Sequence, residues 1–99
     1  MTVLRTLEMS LDRAEFLRLL PAAAPGGFTR TEGPDGSTVL VRREGTALFR
    51  IRLAPLPPLC LGALTLARQR VELALEGPPP AAAEAMLDAF LKHYQRAGG

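Results

Sequence analysis

Residues 80–96, PAAAEAMLDAFLKHYQR, decide the fold. Apolar side chains recur at Ala83, Met86, Leu87, Phe90, Tyr94 and, just beyond, Ala97. Those steps of three and four residues place them on one stripe of an α-helix. Glu84, Asp88, Lys92 and Gln95 fall on the opposite side, with Asp88 and Lys92 spaced for an i,i+4 ion pair. Pro78, Pro79 and Pro80 suit the first turn, where a missing N–H is no loss. Gly98 and Gly99 follow as a left-handed cap. Lys92, His93 and Arg96 complement the negative end of the helix dipole. Such a helix is about 25 Å long at 1.5 Å per residue. Five strands spaced by about 4.8 Å are similarly wide. One helix can therefore cover one sheet face.

Upstream of the helix the chain changes period from 3.6 to 2. Thr46 to Leu53 alternates most clearly: Ala47, Phe49, Ile51 and Leu53 face the core, and Arg50 and Arg52 face solvent. Thr38 to Arg43 reads as its partner, closed by Glu44-Gly45. Gly33-Pro34-Asp35-Gly36 turns back to a short strand, Phe28 to Thr31, because Pro presets φ and Gly supplies a positive one. At the N-terminus, Thr2 to Met9 is a strand with Val3, Leu7 and Met9 on one face and Arg5 as the exception. Ser10 is the expected N-cap of a helix over Leu11 to Leu20, with Phe16, Leu17 and Leu20 inward. Pro25-Gly26-Gly27 ends it.

Two segments read less simply. Pro55-Leu56-Pro57-Pro58 breaks the strand pattern and is expected to be a loop; it also matches PxxP, read as a stiff connector. In Leu59 to Glu76, Val71, Leu73 and Leu75 have one parity and Leu64 and Leu66 the other. A single long strand would need a bulge near Ala67–Gln69, while a tight hairpin there lacks the usual Gly, Asn or Asp.

The expected class is α+β, in the order β-α-β(4–5)-α: a single curved antiparallel sheet packed against a long C-terminal helix. This order of elements resembles the helix-grip architecture. A ferredoxin-like sandwich is the alternative, but it places its second helix between strands rather than at the end.

Ninety-nine residues make one domain, 1–99, with 47 % apolar residues, too many for a disordered chain. Arg5, Glu8 and Asp12 interrupt the N-terminus before any signal-peptide core can form. The longest uncharged run, Leu53 to Ala67, is too short and too rich in proline to span a bilayer. Cys60 is the single cysteine, so no internal disulfide can form. A cytoplasmic location with no membrane contact is the default expectation. The net charge of +2 gives no strong electrostatic signature.

Residues suited to chemistry are sparse. His93 is the only histidine, and its place at the edge of the helix stripe suits a satisfied boundary residue better than a general base. Cys60 sits on an apolar segment with no sign of thiolate activation, and a Cys60–His93 dyad would require the fold to bring the two together. The acidic residues are dispersed, and no phosphate-binding glycine motif is present. No catalytic residue, metal site or cofactor is expected. Three readings follow. In the foremost, the chain is a non-catalytic interaction module, a homodimer or the mate of another protein. Its surface would be Leu59, Cys60, Leu61, Leu64 and Leu66, with Leu59 and Leu61 on one face and Cys60, Leu64 and Leu66 on the other. In the second, a small apolar ligand lies between sheet and helix, lined by Phe49, Ile51, Leu73, Met86 and Phe90, with His93 and Tyr94 as polar handles. In the third, disfavoured, Arg50, Arg52, Arg68 and Arg70 form a patch for nucleic acid, opposed by Glu72 and Glu76 of matching parity.

Overall fold

The computed structural model describes residues 2–96. The expected stripe residue Ala97 and the expected cap at Gly98 and Gly99 lie outside them. The elements are β1 (Thr2–Met9), α1 (Arg13–Ala23), β2 (Thr29–Glu32), β3 (Thr38–Glu44), β4 (Ala47–Leu61), β5 (Leu64–Glu76) and α2 (Pro80–Arg96). The strands form one curved antiparallel sheet in the order β1-β5-β4-β3-β2. This is the α+β arrangement expected from the sequence. It is not the ferredoxin-like alternative, because α2 follows the last strand.

Register explains which residues become core. Val3, Leu7 and Met9 of β1 stand opposite Leu75, Val71 and Gln69 of β5. Phe49, Ile51 and Leu53 of β4 stand opposite Leu75, Leu73 and Val71. Leu40 of β3 pairs with Ile51. Paired residues share a face, so the apolar residues of four strands make one surface. Phe16 and Leu20 of α1 join Ala83, Leu87, Phe90 and Tyr94 of α2 on that surface in a single hydrophobic core. Phe16 stacks on Tyr94 with ring centres 4.5 Å apart, and the Tyr94 hydroxyl donates to the Phe16 carbonyl at 3.0 Å. Burial pushes the Tyr94 phenol well above its ordinary pKa. Both helices thus lie on one side of the sheet. α1 therefore does not cover the second face of the sheet.

The exceptional Arg5 has a partner. Its side chain shares the helix side with Val3 and Leu7 but reaches outward to Glu84 and to Asp88 Oδ1, the latter at 2.8 Å. Asp88 is therefore held by β1, not by Lys92 one turn on. Met86 belongs to the expected inward stripe, yet it is 48 % exposed, at the rim of the contact.

The N-cap of α1 is Asp12, not Ser10: the Asp12 carboxylate accepts the Glu15 N–H at 2.8 Å. Leu11 is buried and must enter the core before the helix begins. Pro21 is carried inside α1, which runs on to Ala23. Gly77, between β5 and α2, has φ +111°, and a Cβ there would lie 2.7 Å from the Thr46 carbonyl oxygen. Only glycine permits that close crossing at the β3–β4 turn. Among the described residues no helix is long and apolar enough to cross a membrane.

Candidate functional site

The segment that reads least simply becomes the most distinctive part of the molecule. β3 leaves β4 at the Thr38–Leu53 pair, and β1 leaves β5 at Met9–Gln69. Beyond those points residues 54–68 continue alone as a two-stranded arm, and the molecule is 47 Å long. The turn is at Gly62-Ala63, where Gly62 has φ +61°, and among the described residues no non-glycine residue has a positive φ. This is the signature of a two-residue II′ turn, with Gly in its first central position. Leu59 to Glu76 is therefore not one strand.

The irregularity falls in β4 rather than at Ala67–Gln69. Leu56 pairs with Arg68, and the next pair is Leu59 with Leu66. Pro57 and Pro58 together oppose Ala67, so the proline segment is a bulged strand, not a loop. Prolines carry no N–H and leave no donor stranded in the bulge. The Pro57 carbonyl is satisfied by the Arg68 guanidinium, with Nε at 3.1 Å and Nη2 at 2.9 Å.

The bulge changes the parity of everything after it. Leu59 pairs with Leu66 and Leu61 with Leu64, so all four leucines share one face of the arm. Cys60 pairs with Thr65 on the other face. The expected division, with Leu59 and Leu61 opposite Leu64 and Leu66, is overturned by that one extra residue. Leu59, Leu61 and Leu64 are 42, 56 and 55 % exposed.

The leucine face is continuous, through Leu56 and Arg68, with the side of the sheet that carries no helix. On that side Arg50 pairs in register with Ala74, Arg52 with Glu72, and Ala54 with Arg70. Arg50, Arg52, Arg68 and Arg70 therefore do share a face. Arg52 is spent on Glu72 at 3.2 Å and Asp35 at 2.9 Å, and Arg68 lies 3.4 Å from Glu8. Arg50 and Arg70 remain exposed, with Glu8, Glu72 and Glu76 on the same side. A shallow depression of about 180 Å³ lies there over Ala74, bordered by Leu4, Val39, Arg50 and Glu72. Leu4 is 69 % exposed.

The helix side has a cleft at the end of the sheet remote from the arm. It measures about 240 Å³, between the end of α1, α2 and the β3–β4 hairpin. Phe49, Met86, Phe90 and His93 line it, with Arg42. Ile51 and Tyr94, expected in the same lining, are instead sealed in the core at 0 and 1 % exposure, and the Tyr94 hydroxyl is already committed to Phe16. Leu73 is likewise buried in the core. Arg42 was missed by sequence reasoning. Its signal was its parity: Thr38, Leu40 and Arg42 alternate onto the helix side, and Arg42 stands opposite Phe49.

Cys60 near the arm tip and His93, which lines the same cleft as Phe49, are separated by most of β4, roughly 35 Å at about 3.3 Å per residue. They form no dyad. Among the described residues no group of three or more His, Cys, Asp or Glu side chains is placed to hold a metal ion. Comparison with protein-family models, with curated proteins and with solved structures finds no match to this chain.

Proposed function

We propose that this chain is a non-catalytic interaction module that forms a homodimer through the leucine face of its arm. The observation that carries this reading is the bulge at Pro57-Pro58, which gathers four leucines onto one exposed face. An arm folded only for its own sake would have no use for that arrangement, since none of those side chains is packed against the hydrophobic core.

A second copy is the occupant that fits best. A twofold interface must be self-complementary. The arm supplies leucines to meet leucines, and the adjoining open face carries both signs of charge, Arg50 and Arg70 beside Glu72 and Glu76. Pro55, Pro57 and Pro58 remove three N–H groups from this stretch of β4, which makes it a poor template for a further strand and turns association toward the face. Burying a half-exposed leucine recovers about 1 kcal/mol. Leu59, Leu61 and Leu64 are the half-exposed ones, so six from two copies recover about 6 kcal/mol, against an association cost of about 4 kcal/mol or more. The dimer is accordingly weak.

Sedimentation equilibrium from about 10 µM to about 1 mM tests for such a weak dimer. The expected result is a concentration-dependent shift from monomer to dimer, abolished by Leu59→Glu and by Leu64→Glu with melting temperature unchanged. A parent chain that stays monomeric throughout, or folded variants that dimerise as well as the parent, would contradict the reading.

A further inference from the structure

We infer that the cleft between α2 and the β3–β4 hairpin binds a small carboxylate with an apolar body. The inference stands on Arg42 and is independent of the arm. Arg42 has 20 % of its side chain exposed. Its guanidinium donates to the Pro25 carbonyl and lies 5.2 Å from the centre of the Phe28 ring. Both contacts fix its position, and neither neutralises its charge. The nearest carboxylate, Glu44, is 3.9 Å away, on a side chain that is 82 % exposed. A largely sheltered cation therefore has only a loose, solvated counter-ion.

The remaining walls suit the rest of such a molecule. Phe49, Leu75, Met86 and Phe90 are apolar, and among the described residues no Asp or Glu lines the cleft. His93 adds a second nitrogen-bearing group. A guanidinium presents a planar fork of donors that matches a carboxylate in a bidentate pair. Met86, half exposed at the rim, has the flexible thioether that adapts to varied apolar shapes. A volume of 240 Å³ is about eight waters' worth at about 30 Å³ each. The space takes a short chain or a single ring, and not a long acyl chain.

The test is an NMR titration of the isotopically labelled full chain with octanoate, and with octanol as the uncharged probe. Octanoate is expected to shift the amides of Phe49, Met86 and Phe90, saturating at one per chain, and to bind at least about tenfold more tightly than octanol, the worth of a charge-assisted pair. Arg42→Leu is expected to remove that preference while leaving octanol binding intact. Met86→Trp, at an exposed position, is expected to block both probes by filling the mouth. The inference is overturned if octanoate and octanol bind equally to the parent, or if no saturable shift appears at these residues by about 10 mM octanoate. Shifts confined to Leu59–Leu66 would overturn it as well, by placing the probe on the arm. If Arg42→Leu does not fold, the parent's octanoate preference and Met86→Trp still decide.

Discussion

Strands β4 and β5 are the same two strands in the base and in the arm, yet they behave oppositely. In the base, Ile51, Leu53, Val71 and Leu73 are at most 1 % exposed. Past the Leu56–Arg68 pair, Leu59, Leu61 and Leu64 are 42–56 % exposed, although they are no less apolar. The difference is what covers them. Two helices reach the base, and none reaches the arm. The base stabilises itself by burial, as any small domain must. The arm is a two-stranded ribbon, a form that is marginal alone, and is stapled by a II′ turn and the Arg68–Pro57 contact.

This contrast makes mutational effects unequal. The largest is expected from Phe90→Ala. Phe90 packs against Phe16, Phe49 and Tyr94, with ring centres 5.3–6.5 Å away, and its loss should cost about 3–5 kcal/mol in chemical denaturation. Of a total of about 5–15 kcal/mol, that brings the base close to unfolding. A cost below about 1 kcal/mol would mean that the aromatic cluster does not carry the base.

Tyr94→Phe is expected to be intermediate, about 1 kcal/mol at neutral pH for the lost bond to the Phe16 carbonyl. Its sharper signature is alkaline. The folded phenol has its pKa raised by burial, so its neutral form is fully favourable to folding below the ordinary tyrosine value of about 10. As the pH rises beyond that value, the unfolded chain ionises first and stability falls by up to about 1.4 kcal/mol per pH unit. Denaturation of the parent above about pH 10 should steepen where Tyr94→Phe does not. Equal alkaline slopes would contradict the buried hydroxyl.

Smallest of all is Leu61→Ala, within about 0.5 kcal/mol in monomer stability. A larger loss would show that the arm is packed on the base after all.

The base was legible because each of its elements repeats one period long enough to read. α2 from Pro80 to Arg96 and β1 from Thr2 to Met9 have the bounds that their patterns give. The arm was obscured by two local events. Glycine at position 62 and alanine at 63 make a turn with only one punctuating residue, and the prolines that suggest a loop form a bulge instead. Alternation counts residues, and it fails by one wherever two residues stand opposite one. That single step reassigned Leu59 and Leu61. The cleft was half legible: its aromatic wall follows from periodicity, but the role of Arg42 depends on a strand-to-strand pairing that parity alone only hints at. The same holds for Arg5, an apparent misfit until α2 brings Glu84 and Asp88 within reach.

The most direct test of the division into base and arm is to remove the arm. Replacing residues 57–67 with Asn-Gly joins Leu56 to Arg68, already paired, through the two-residue turn that hairpins favour. Sedimentation equilibrium and thermal melting of this shortened chain, beside the parent, read both halves of the account. The expected result is a chain that melts like the parent at dilute concentration and stays monomeric where the parent dimerises. A shortened chain that still dimerises, or one that cannot fold, would contradict it.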